Sequence, residues 1–331
     1  MSSSDTLLWD DNPSPVDLLG FEDVAAPVLD ALQSEHLDPV CIGVFGPWGA
    51  GKTTVIQLIE RAIESHEGSL VVYTQPWSYD PTTDPKATLI GEVLNAVKEN
   101  LDQSALERLG DRLKGLAGRV RWSRAIRLSA ESALTASLPK LSDLEGLFGE
   151  GDDVTEPTLR GFRGEFERLL ADSSFDDLRR VVVIVDDLDR CLPTTVIDTL
   201  EAIKLFLAVP KMAFVVAADE APVAHAIASA FGDSPDGSAL AKKYLEKIVQ
   251  IPVRVPTLGL SDVEAYVAQL LLWYRTRGDD ERFETIRQHC ANARAGGQPT
   301  FVEGLAQGIE GGAEDVTLAE RLAPTLYEEL E

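Results

Sequence analysis

Several things are scarce in this 331-residue chain, and each shortage narrows what it can be. No run of about 20 apolar residues occurs, so no helix is expected to cross a bilayer. The opening stretch, Met1 to Asp11, lacks both a basic start and an apolar segment and does not read as a signal peptide. Cysteine is sparse and odd in number. Cys41, Cys191 and Cys290 are widely spaced and form neither a metal-ligand cluster nor a disulfide framework, which suits a reducing, cytoplasmic setting. Positive charge is short as well: 30 Lys and Arg face 55 Asp and Glu, and the net charge of -25 argues against a protein that coats nucleic acid over its whole surface. With 44% hydrophobic and 26% charged residues the rest is ordinary for a globular chain, long enough for about two domains.

What is present centres on Gly46-Pro47-Trp48-Gly49-Ala50-Gly51-Lys52-Thr53, a full match to the G-x-x-x-x-G-K-[ST] phosphate loop. Val40 to Phe45 before it is a short apolar run suited to a buried parallel strand. Thr53 to Ile63 after it reads as a helix with Val55, Ile56, Ile59 and Ile63 on one face. A glycine loop between strand and helix turns backbone N–H groups into one concavity at the positive end of the helix, a site for nucleotide phosphates. In it Lys52 would reach the β- and γ-phosphates and the Thr53 hydroxyl would sit on Mg²⁺, with Thr54 completing the binding stretch. The alternative is a glycine-rich turn that binds nothing.

The second half of the motif is Val181-Val182-Val183-Ile184-Val185-Asp186-Asp187-Leu188-Asp189-Arg190. A buried strand delivers carboxylates at its C-terminal tip, beside the phosphate loop. Asp186 would hold the Mg²⁺ through water, and Asp187 would orient and deprotonate the attacking water. Further core strands are expected at Leu70 to Thr74, Met212 to Ala218, and Lys247 to Val253, where Pro252 suggests an edge. Asp219, at the end of the fourth strand, is placed either to sense a γ-phosphate or to cap the helix starting at Glu220. Arg190 either pairs locally with Asp187 or Asp189 or reaches a neighbouring subunit, and Lys247 raises the same question. Trp77 is expected to cap the sheet, with stacking near the nucleotide as the alternative.

Helices are expected over Val24 to Leu32, Leu89 to Asn100 and on through Leu101 to Pro139. They are also expected over Thr158 to Leu170, Val196 to Ala208, Phe283 to Ala293 and the tail from Leu318. Ser261 and Glu264 give a capping-box signature for a helix running to about Arg275. The tail stops without a C-cap signal, as a shortened lid would. Arg108, Arg112, Lys114, Arg119, Arg121, Arg124 and Arg127 form a basic island in an acidic chain, suited to nucleic acid, anionic lipid or an acidic partner, or else a solvated helix face.

The loop of Gly46 to Thr53, Pro76-Trp77, the string Asp186-Asp187-Leu188-Asp189-Arg190-Cys191 and Tyr244-Leu245-Glu246-Lys247-Ile248 running into Gln250-Ile251-Pro252 together resemble the KAP family of P-loop NTPases. The resemblance implies an ATPase of the additional-strand division. That is an α/β three-layer sandwich with a mostly parallel sheet in a 5-1-4-3-2-like order. It also implies a role in signalling, membrane-linked assembly or defence against phage. Many members carry transmembrane helices between the two Walker motifs; here that interval holds the basic island. The expected organisation is an acidic lead-in (1–39), an NTPase core (40–100 and 158–258), a helical insertion (101–157) and a helical C-terminal lid (259–331). The expected function is an Mg-ATP hydrolase that switches conformation or assembles, with homo-oligomers or protein partners. Asp187, Lys52, Asp219 and Arg190 would be its catalytic residues. A nucleotide-gated nucleic-acid loader using the Arg108–Arg127 island and a metabolite kinase are the alternatives.

Overall fold

A computed structural model describes residues 17–80, 82–131, 157–230, 237–276, 281–298, 315–321 and 323–324. The first part of the acidic lead-in, residues 132–156 of the helical insertion, including the end of the helix expected to Pro139, and the tail beyond 324 lie outside these residues, as do the side chains of Arg119, Arg121, Arg124 and Arg127. The chain divides into two compact units: one is Val28–Phe45 with Glu60–Arg254, and the other is Met1–Pro27, Gly46–Ile59 and Val255–Glu331.

The first unit holds a five-stranded sheet of β1 (Val40–Phe45), β2 (Ser69–Thr74), β3 (Arg180–Val185), β4 (Met212–Ala218) and β5 (Ile251–Arg254). Every pairing is parallel and the order is β2-β3-β4-β1-β5, the 5-1-4-3-2 arrangement. All residues of β1, β3 and β4 are buried, so their near-continuous Val, Ile and Ala runs are covered on both faces. β5 is an edge strand, which tolerates Pro252 opposite Gly43 because a proline lacks the ladder N–H.

Around the sheet stand α3 (Pro85–Glu99), α4 (Gln103–Glu131), α5 (Pro157–Leu170), α6 (Pro193–Phe206), α7 (Glu220–Ala230) and α8 (Gly237–Ile248). α3 packs on α4 and α6, α4 on α5, and α7 on both α6 and α8. The helical layer is locked by aromatic contacts. Phe206 meets Phe166 at 5.2 Å and Phe162 at 5.9 Å edge-on, and lies 6.2 Å from Phe214 of β4. In the basic island, Arg108 donates to the Ser174 hydroxyl at 3.0 Å and Lys114 lies 3.5 Å from Asp111.

Two expectations need correction here. Lys247 and Ile248 are not strand but the last turn of α8, and β5 begins only at Ile251. Ala241, Tyr244, Leu245 and Ile248 bury one helical face at a 3.6-residue period, and that burial outweighs the β-branched run that suggested a strand. The predicted cap at Ser261 is also displaced. Helix α9 (Leu260–Thr276) has already begun there, and the Asp262 carboxylate accepts the Gly259 N–H at 2.9 Å. The cap therefore sits two residues earlier and keeps only the carboxylate half of the box, glycine having no side chain to complete it.

The second unit contains α9, α10 (Glu281–Ala295) and a helical stretch over 315–321, around a core of Leu18, Val263, Leu272, Phe283, Ile286 and Val316. It also contains the loop after β1 and the start of α2 (Lys52–Glu64), while α1 (Glu22–Gln33) begins in it.

Phe206→Ala removes the ring shared by these aromatic contacts and leaves a cavity in a fully buried site. The expected loss is about 3–5 kcal/mol, read from the shift of the denaturant midpoint at unchanged slope.

Candidate functional site

The loop from Gly46 to Gly51 leaves β1 and enters α2 directly. Gly49 and Gly51 hold φ of 78° and 88°, in the left-handed region that side chains avoid. The Val55 N–H donates to the Gly51 carbonyl at 3.1 Å, so the N–H groups that begin α2 point out of the helix end. Lys52 is 8% exposed, and its Nζ donates to the carbonyls of Gly46 at 3.0 Å and Pro47 at 3.1 Å. The ammonium is therefore folded over its own loop. Trp48 is exposed.

Phe21, which motif reasoning does not single out, braces this loop. A Cβ on Gly51 would lie 2.5 Å from its ring, so the glycine is required both by φ and by this close approach. Phe21 is held in turn from α9 and α10. The Arg294 guanidinium sits 5.4 Å from the ring centroid, with its two Nη atoms donating to Leu19 O and Pro256 O. Arg287 donates to Asp17 O and Gln269 donates to Leu18 O. The Asp17 carboxylate accepts from the N–H groups of Leu19 and Glu22. Burial pushes the Arg294 pKa down, with Asp262 and Asp17 opposing the shift. No local sequence pattern announces this brace, because its parts come from residues near 20, 51 and 290.

The acidic residues follow β3. Asp186 is 1% exposed, and its N–H continues the β2–β3 ladder onto the Thr74 carbonyl at 3.0 Å. Its Oδ1 accepts from the Asp187 N–H at 2.9 Å and its Oδ2 accepts from the Tyr73 hydroxyl at 3.0 Å. Asp187 adopts a left-handed backbone, φ 56° and ψ 30°, uncommon for a residue with a side chain and costly enough to mark a site. Its carboxylate pairs with Arg190 at 2.9 Å, so Arg190 takes the local of its two expected placements. Cys191 lies in the same turn. Its thiol is pushed up to about 12, first by burial and then by Asp187 and Asp189.

Asp219 follows β4, the strand between β1 and β3, and its Oδ1 accepts the Ala221 N–H at 3.0 Å as the cap of α7. Trp77 does not pack as expected: it is 59% exposed, because the short turn of Pro76–Ser78 buries Pro76 and turns the indole outward. Leu192, after the acidic turn, is exposed too. Among the described residues no three His, Cys, Asp or Glu side chains gather as a metal cage, and no helix is long and apolar enough to cross a membrane.

A parallel sheet in this order is the architecture of a P-loop NTPase when a G-x-x-x-x-G-K-T loop leaves β1 and a buried carboxylate stands at the tip of β3. More narrowly, the chain belongs to the KAP family: the model of the KAP family P-loop domain matches residues 21–303. It is 22% identical over 259 residues to the phage T7 exclusion protein of Escherichia coli (strain K12). That match covers 73% of this chain but 34% of the relative, so the chain spans about a third of that protein's length. The crystal structure of Cdc6p from Pyrobaculum aerophilum aligns over 91% of this chain and 70% of that chain, at 11% identity and a TM-score of 0.42, too low a score to define a shared fold.

Gly51→Ala places a Cβ in the Phe21 ring and forces a side chain into φ 88°. The expected cost is about 1–3 kcal/mol in thermal unfolding, with nucleotide affinity falling alongside it. The thiols give a second check. Burial raises Cys41, and it also holds Cys290 at about 12, so all three cysteines are neutral at pH 8. A thiol reagent at that pH should label the native protein slowly and the denatured protein at once. Rapid native labelling of Cys191 would show the turn to be open.

Proposed function

We propose that the protein is an Mg-ATP hydrolase whose nucleotide cycle drives a conformational switch or an assembly step. The observation that carries this reading is Lys52, folded onto two carbonyls of a loop whose glycines hold positive φ. A cation committed to carbonyl oxygens can exchange them for phosphate oxygens at little cost in desolvation. The residues present fit a nucleotide with its Mg²⁺, since such ions need only one or two protein oxygens beside phosphates and water.

In this reading the loop N–H groups from Gly46 to Thr54 cradle the phosphates and Lys52 moves onto the β- and γ-phosphate oxygens. The Thr53 hydroxyl and Asp186, the latter through water, hold the ion. The chemistry supplied by bound Mg²⁺ is charge neutralisation at the β- and γ-phosphates. Asp187 orients the attacking water and takes its proton at a carboxylate oxygen. Asp219 senses the γ-phosphate from the tip of β4 while its Oδ1 continues to cap α7. Arg190 restrains Asp187 between turnovers, and its service to a neighbouring subunit would require the 2.9 Å pair to open. That restraint makes basal turnover slow.

The helical region from 259 is the proposed lid, and it is coupled to the loop through the Phe21 brace that α9 and α10 hold. Phage exclusion is what the relative's name states of that protein. Defence against phage is accordingly the setting proposed for this switch, with protein partners or further copies as its targets.

Steady-state hydrolysis and equilibrium ATP binding, both with Mg²⁺, test the chemistry. The wild type should turn over slowly. Lys52→Ala should lose nucleotide binding by at least ~10-fold, and Asp187→Asn should bind ATP without hydrolysing it. A wild type that does not bind ATP would overturn the reading, as would an Asp187→Asn variant with wild-type turnover.

A further inference from the structure

The phenol on Asp186 has no part in the reading above. β2 pairs with β3 so that Tyr73 stands opposite Ile184. Side chains two residues apart share a face of a strand, so Tyr73, Ile184, Gln75 and Asp186 fall on one face, and Asp186 is the diagonal neighbour of Tyr73. That diagonal is within reach of an aromatic side chain. The Tyr73 hydroxyl meets Asp186 Oδ2 at 3.0 Å, and Gln75 Nε2 donates to the same hydroxyl at 3.0 Å.

These contacts have a direction. Gln75 supplies a hydrogen to the phenol oxygen, and an ionised carboxylate can only accept, so the one phenolic hydrogen goes to Asp186. Asp187 N–H already occupies Oδ1. With one donor on each oxygen, rotation of the carboxylate about its Cβ–Cγ bond is arrested. An ionised carboxylate offers about four lone-pair positions, so about two remain for a hydrated cation. The relay begins at a surface: β2 is an edge strand, Tyr73 is 38% exposed, and Trp77 lies exposed just beyond Gln75. A carboxylate shut away from water is thus tied to the open edge of the sheet.

We infer that Tyr73, oriented by Gln75, is a positioning residue for Asp186: it holds the carboxylate in the plane that receives hydrated Mg²⁺ and so sets the cation requirement for nucleotide binding. This rests on the Mg-ATP reading and deepens it. Neither residue touches substrate in this account; both act through Asp186. Outer partners of metal-binding groups are typically worth 10–100-fold in metal affinity or activity.

The test is a binding measurement. A fluorescent ATP analogue is titrated into the full chain in EDTA and then across a range of Mg²⁺ concentrations, for wild type, Tyr73→Phe and Gln75→Leu, with the melting temperature of each. Tyr73→Phe keeps the ring and removes only the donor. The Mg²⁺ concentration for half-maximal tightening should rise roughly 10-fold, with affinity in EDTA within about twofold of wild type and a melting temperature lowered by no more than a few degrees. Gln75→Leu should move the Mg²⁺ requirement in the same direction by less. A Tyr73→Phe curve that superimposes on wild type overturns the proposal. So does an equal loss with and without Mg²⁺, which would make Tyr73 structural. A larger effect from Gln75→Leu than from Tyr73→Phe would overturn the order of the relay. A wild type that binds the analogue in neither condition overturns the Mg-ATP reading itself, a failure distinct from a normal wild type beside an unaltered variant.

Discussion

A carboxylate buried at the tip of a parallel strand constrains everything around it. An isolated ionised carboxylate removed from water is strongly unfavourable, so it must be given donors, a counter-ion or a metal. Asp186 receives the Asp187 N–H on one oxygen and the Tyr73 phenol on the other. The first donor explains the backbone of the acidic turn. For the Asp187 N–H to fold back on its neighbour's side chain, the chain turns sharply after β3, and Asp187 takes the left-handed conformation. The second donor explains why β2, the edge strand, carries Tyr73 near its end, with Gln75 just beyond the strand to orient it. Strain and polarity that would be liabilities in a plain α/β sheet are here consequences of a single buried charge.

The loop after β1 obeys a different constraint, steric rather than electrostatic. Two glycines with positive φ shape it, and Phe21 presses against Gly51 so closely that a methyl group has no room. The ring is held by Arg294, which also donates to the backbone carbonyls of Leu19 and Pro256. α10 is thereby mechanically connected to the phosphate loop through one aromatic side chain. For a KAP family member read as a switch, that connection gives the C-terminal helices a route to the loop without any of their residues joining the motif.

Much of this was legible in the amino-acid order. Strands buried on both faces write themselves as continuous apolar runs, which is why β1, β3 and β4 can be placed from sequence. The order of the sheet followed from the resemblance to KAP proteins. Errors arose where two local signals competed. Lys247 and Ile248 look like strand by composition but belong to α8, since a helical face of Ala241, Tyr244, Leu245 and Ile248 is buried. The cap of α9 uses Gly259 and Asp262 instead of Ser261 and Glu264, because the Asp262 carboxylate takes the Gly259 N–H and the helix starts two residues earlier. Trp77, expected to cap the sheet, stands exposed instead, turned outward by the turn that buries Pro76.

By itself the sequence determined the parts whose chemistry is local in the chain. A glycine-rich loop, its lysine and threonine, and a run of acids after a hydrophobic strand are each contiguous, and their geometry is dictated by backbone and helix-end physics within a few residues. Only the tertiary structure decided what comes from a distance. It brought Phe21 and Arg294 to Gly51, set Tyr73 on Asp186 across a strand pairing 113 residues apart, and closed Arg190 on Asp187. Such partners carry no mark in the sequence, because a hydroxyl, a ring or a guanidinium becomes part of a site only through the register and packing that deliver it.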